Sequence, residues 1–92
     1  MKKIDFDVVV FLERDSYVAY TPELDVSSCG KSVDEARRNL LTVVRLFIEE
    51  AEKLGTLNQI LDEAGYVPDG NGGYKPPRLI ATEAMSVAMG SG

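Results

Sequence analysis

Residues 32–55 read SVDEARRNLLTVVRLFIEEAEKLG, and the period of this stretch decides the fold. At about 100° per residue, Val33, Ala36, Leu40, Val43, Val44, Phe47, Ala51 and Leu54 fall on one side of a helix. Leu41 and Ile48 sit on the flank of that stripe. The other side carries Asp34, Arg38, Arg45, Glu49, Glu52 and Lys53, with Asp34/Arg38, Arg45/Glu49 and Glu49/Lys53 four residues apart, where opposite charges meet on a helix. Ser32 is placed to cap the first turn, and Glu35, three residues on, completes a capping box. Gly55 is a natural stop, and Lys53 suits the negative end of the helix dipole. A helix this long with one wide apolar stripe needs a sheet to lie on.

The residues before it supply strands. Residues 4–12 are β-branched and aromatic. Ile4, Phe6, Val8, Val10 and Leu12 alternate onto one face. Asp5, Asp7, Val9 and Phe11 take the other, which changes from polar to apolar along the strand. Val9 and Phe11 read either as a contact with another subunit or as ordinary exposed side chains. Glu13-Arg14-Asp15 is a turn, and residues 16–21, SYVAYT, form a hairpin with the first strand. Pro22 ends that strand because it lacks a donor. Residues 25–29 make a short third strand, and Gly30-Lys31 leads into the cap.

After Gly55 the spacing predicts a second, shorter helix. Thr56 is its expected cap, Leu57, Ile60, Leu61 and Ala64 its apolar side, and Gly65 its stop. Residues 66–77, YVPDGNGGYKPP, read as a loop. Residues 79–89, LIATEAMSVAM, suit either helix or strand. The strand reading is favoured, because the long helix then acts as a crossover returning the chain to the sheet. The expected class is α+β: a three-stranded antiparallel meander, a long helix, a short helix and a final strand. Residues 1–89 form one domain, and 90–92 are a tail.

The chain has 92 residues, 15 acidic against 10 basic, and a formal charge of −5. A direct nucleic-acid binder presents a basic face, and the basic residues here are scattered or paired along the helix. Acidity of this kind suits a basic protein partner or serves solubility alone. The single cysteine, Cys29, rules out an internal disulfide and points to a reducing cytoplasm. No apolar run is long enough to span a bilayer. The opening MKKIDFDVVVFL makes a poor signal peptide, since Asp5 and Asp7 interrupt it and no small-residue cleavage site follows.

Catalytic chemistry finds little material. Histidine is absent, which removes the commonest general base and metal ligand. Cys29 has no local base to activate it. Ser16, Ser27 and Ser28 have no triad partner. Gly70, Gly72 and Gly73 precede a tyrosine and prolines, so they do not make a phosphate loop. Asp5 and Asp7 project from one strand face, a spacing that serves either a divalent metal or a solvated strand end. Leu46, on the polar side of the long helix, is either a stray exposed leucine or a contact with another chain. No cofactor is expected.

Residues 17–40, YVAYTPELDVSSCGKSVDEARRNL, resemble the HicB family of toxin–antitoxin antitoxins. The resemblance rests on Tyr17, Ala19, Pro22, Leu24, Gly30, Ser32, Glu35, Ala36 and Asn39. These are a strand with an aromatic, a proline, a small loop, a glycine, and Ser before a Glu-Ala pair opening a helix with an Asn. It implies a partial RNase H-like unit. It also implies a partner, a small basic HicA-like mRNA-cleaving toxin whose active site the antitoxin covers, and no enzyme activity of its own. Many members add a C-terminal helix-turn-helix or ribbon-helix-helix part. This chain ends soon after the last expected strand, which argues against DNA binding. Residues 55–77 are also longer than the corresponding link in the smallest members. On this reading Asp5, Asp7, Glu13, Asp15 and Glu23 form the partner-binding acidic face, and Val9, Phe11 and Leu46 are contacts of a homodimer or homotetramer. The alternatives are a solitary oligomeric relative without a toxin and a metal-dependent nuclease relic using Asp5 and Asp7.

Overall fold

The computed structural model describes residues 3–90. Three strands, β1 (Val9–Glu13), β2 (Ser16–Thr21) and β3 (Val26–Gly30), pair as an antiparallel meander in the order β1-β2-β3. Val10 stands opposite Ala19, and Ala19 opposite Ser28. Alternation then sends Val10, Tyr17, Ala19, Thr21 and Val26 to one face of the sheet. Ala19 and Thr21 are fully buried there.

The long helix α1 (Val33–Leu54) lies on that face. Its start is capped as its sequence predicts, with the Glu35 N–H donating to Ser32 Oγ at 3.0 Å. The Glu35 carboxylate reaches one residue further back and accepts from the Lys31 N–H at 3.1 Å. Gly55 adopts φ 75°, a left-handed conformation that glycine tolerates without strain. The Gly55 N–H then bonds to the Glu52 carbonyl at 3.1 Å and the Thr56 N–H to the Ala51 carbonyl at 2.9 Å, which closes the helix as a Schellman motif.

Ala36, Leu40, Val44 and Ala51 are the buried residues of α1. Full burial of Leu40 or Val44 stabilises the fold by roughly 2 kcal/mol each. The helix comes close to β3: a Cβ added to Gly30 would lie 2.6 Å from the Ala36 nitrogen. Asn39 fixes the approach, donating from Nδ2 to the Cys29 carbonyl at 2.8 Å. The apolar stripe is wider than its cover, and Val33, Leu41, Val43 and Leu54 stay exposed. Three strands about 4.8 Å apart span only about 10 Å, so the flanks of the stripe overhang them. Of the expected helix ion pairs, Arg38 Nε meets Asp34 Oδ2 at 3.0 Å.

The second helix, α2 (Leu57–Glu63), forms where expected and buries Leu57 and Leu61. Its expected cap does not form. Thr56 is αR and makes no side-chain cap bond. It belongs to the Schellman closure of α1, and its hydroxyl turns back to the Ala51 carbonyl at 3.4 Å.

Two boundaries differ from the sequence reading. The first strand begins at Val9, not residue 4, because Pro22 ends β2 after Thr21 and leaves nothing for residues 4–8 to pair with in the meander. The final strand does not lie at residues 79–89, which form no regular element. It lies in the stretch expected to be a loop, where β4 (Val67–Pro68) and β5 (Tyr74–Lys75) make a separate antiparallel ribbon. Asp69 organises the ribbon's turn, accepting from the Asn71 N–H at 2.7 Å and the Gly73 N–H at 3.0 Å. The helices do return the chain toward its first residues, but the return is one parallel bridge, Ile4 to Tyr74. Pro76 and Pro77 follow at once and withhold the donors that would extend it.

Candidate functional site

At the Pro22 end of the sheet, carboxylates expected from the sequence come together. Residues 3–8 cross the turn after β2 and are pinned from several sides. The Asp7 N–H points between the two carboxylate oxygens of Glu23, at 3.2 Å from each. Thr21, fully buried, donates from its hydroxyl to Glu23 Oε1 at 3.0 Å. Tyr66, buried just past α2, donates from its hydroxyl to the Asp5 carbonyl at 2.7 Å. Tyr74 joins the same staple, with its N–H on the Lys3 carbonyl at 2.8 Å and its hydroxyl on Asn58 Oδ1 at 2.9 Å.

The charges respond to this crowding. A hydrogen bond with Glu23, then burial and repulsion, hold the Asp7 carboxyl above its ordinary value. Burial pushes Glu23 up, but bonds from Asp7, its own backbone and Thr21 outweigh this and leave it below the ordinary value. The two carboxyls of the pair are thus shifted in opposite directions. Burial first, and then the nearby Glu23, Asp7 and Asp5, raise the Tyr66 phenol far above its usual range. Beside the pair opens a cleft of about 490 Å³, with Asp7, Pro22 and Glu23 on one side and Ala64, Arg78 and Leu79 on the other.

Glu13 and Asp15 are elsewhere. They sit at the β1–β2 turn, the opposite end of the hairpin, beside an open depression of about 1040 Å³ that also takes in Arg14, Val18, Ser27 and Cys29. The expected acidic face is therefore two clusters, separated by the length of β1, about 17 Å. Asp5 is exposed, its carboxylate 3.8 Å from Lys3 Nζ. Among the described residues no group of three or more His, Cys, Asp or Glu is arranged to hold a metal ion.

Between the two clusters runs the sheet face that α1 does not cover. Val9 is opposite Tyr20, Phe11 opposite Val18, and Val18 opposite Cys29. Phe11 is 55% exposed; Val9, Val18 and Tyr20 are half-buried. Tyr20 is anchored to Asp25 Oδ1 at 2.8 Å, a bond that raises its phenol above the usual value. Val9 and Phe11 thus belong to one apolar strip. Leu46, 59% exposed, lies on the solvent side of α1, so the sheet and the helix separate it from that strip. Sequence reading did not place Val18, Tyr20 and Cys29 here, although the period of two and the two hairpin turns contain that information. Tyr66 was also missed; its signal is an aromatic directly after a glycine helix stop, where a side chain folds back on the helix.

The residues that carry the HicB resemblance have structural work. Ala19 and Ala36 are both fully buried between sheet and helix. Leu24 is buried under the turn, Ser32 and Glu35 cap α1, Gly30 admits the helix and Asn39 ties it down. No helix among the described residues is long and apolar enough to cross a membrane. Comparison with protein-family models, curated proteins and solved structures finds no match.

Proposed function

We propose that this chain is a HicB-like antitoxin domain of the partial RNase H-like type. It is a non-enzymatic module of the cytoplasm that neutralises a small basic, HicA-like, mRNA-cleaving toxin by covering its active site. The observation that carries the reading is the arrangement of the meander. One face is sealed by α1 through the motif residues, and the other leaves an apolar strip with carboxylates at both ends: Asp5, Asp7 and Glu23 at one, Glu13 and Asp15 at the other. An apolar centre with a charged rim is the anatomy of a protein-binding surface, and a net charge of −5 favours a cationic partner. The protein acts as a homodimer or homotetramer.

The test is co-expression with the product of the neighbouring reading frame, followed by purification and an RNA-cleavage assay. The expected result is a stable complex in which cleavage is suppressed, with association slowing as salt rises. Failure to bind such a neighbour, or RNA cleavage by this chain alone in magnesium that is lost in Asp7→Asn, overturns the reading.

A further inference from the structure

The segment after β5 has the composition of a buried strand and the exposure of a tail. Leu79, Ile80, Met85, Val87 and Met89 are 54, 79, 83, 90 and 93% exposed. A compact domain of this length has a radius of gyration of about 12 Å, whereas this chain's is 15.9 Å and its longest extent is 54 Å. Glu83 is the one charge in residues 79–90. A long run of uncharged, apolar and water-facing residues is a surface that a partner covers.

The same chain offers the matching acceptor. β1 is an edge strand, and no strand pairs with its outer side among the described residues. An open edge presents a row of backbone donors and acceptors to any chain that can line up with it. The chain's own C-terminal segment approaches from the run ahead of β1, where Tyr74 bridges Ile4 in parallel. Pro76 and Pro77 then remove two successive donors. Beyond Leu79 the segment is exposed throughout.

We infer that residues 79–89 add as an edge strand to β1 of a second copy, the two copies exchanging segments about a two-fold axis. Exchange of an identical element occupies the open edge of each copy and closes after two chains. A segment that kept the direction set by the parallel Tyr74–Ile4 bridge would run antiparallel to the partner's β1 when the axis is perpendicular to the strands, and antiparallel pairing is the more stable ladder. Eleven residues reach about 36 Å when extended, enough to cross from one copy and cover the five residues of β1 on the other. In strand form Leu79, Ala81, Glu83, Met85, Val87 and Met89 share one side, apolar at every position but Glu83, and that side extends the apolar strip that carries Phe11. With Glu83 as its one charge, the segment adds little to the repulsion between two acidic copies. The inference does not rest on the toxin reading.

The test uses the full chain. Light scattering measures mass, and hydrogen exchange read by mass spectrometry measures amide protection in residues 80–88. The expected result is a dimer in which these amides exchange at least about a hundredfold slower than in an unfolded peptide. Met85→Asp/Val87→Asp should lose both the dimer and the protection while the α1 amides stay protected. A monomer with an unprotected segment overturns the inference. So does a monomer with a protected segment, which places the strand on its own edge, and so does a dimer whose segment exchanges freely. The wild-type exchange measurement decides the matter even if the variant does not fold.

Discussion

The two faces of the meander are built from the same three strands and have opposite fates. On the α1 side small residues predominate at the contact: Ala19, Ala36 and Gly30 bring backbone near backbone, and Leu40 and Val44 fill what remains. On the far side stand Val9, Phe11, Val18 and Tyr20, larger and only partly covered. Small residues stand only where backbone meets backbone, with Val10, Tyr17 and Val26 packed around that contact. A face that must admit a helix closely needs small residues, whereas a face that grips a partner needs area to present. The difference separates residues that hold the fold together from residues left to act outside it.

The covered face should break first and hardest. Leu40→Ala removes a fully buried side chain from a site that cannot collapse, and should cost about 3 kcal/mol in urea unfolding. A loss below about 1 kcal/mol would mean that α1 does not seat on this face. Gly30→Ala attacks the same contact from the strand. The new methyl, 2.6 Å from the Ala36 nitrogen, must push the helix start away, at about 2 kcal/mol.

That contrast explains what the sequence could reveal. The order of strands and helices and the caps of α1 are local signals, carried by Ser32, Glu35, Gly55 and the β-branched and aromatic run of 4–12, and they were legible. The strand ends were not, because a strand stops where its partner stops: Ile4 and Phe6 have strand character, but Pro22 lies on the other chain segment. The Val67–Lys75 ribbon was hidden by its prolines and glycines, and the Met85–Met89 alternation suggested a strand that residues 76–77 detach from the sheet. In the candidate site, Asp7 and Glu23 could be named as acidic residues from sequence. Their pairing through one backbone N–H could not, since it depends on how residues 3–8 cross the turn.

The open face predicts a dissociation between stability and binding. Phe11→Ser exchanges an exposed aromatic and should leave the urea midpoint within about 0.5 kcal/mol of wild type. It should weaken binding to the proposed basic partner about tenfold or more, as loss of an aromatic anchor does, read by calorimetry. Loss of stability with unchanged binding would reverse the roles assigned to the two faces. Leu46→Ser, on the outer side of α1, serves as the comparison and should change neither.

The smallest effect lies where the open face meets the turn. Asp7 titrates above its ordinary value, so the native state holds that proton more tightly than the unfolded chain does. Its contribution to stability is complete below the ordinary aspartate value and is lost as pH rises through the raised one. Glu23, shifted down, contributes above the ordinary glutamate value and loses that contribution as pH falls through its lowered one. The two slopes oppose each other. Asp7→Asn removes only the first, and it keeps the backbone N–H that holds Glu23. The variant should match wild type near pH 3 and be the more stable of the two at neutral pH, by an amount that water screening keeps small. Urea midpoints measured across that range check the sign. A variant less stable than wild type at neutral pH would mean that the ionised Asp7 carboxylate holds the turn, and that the backbone bond to Glu23 is not enough.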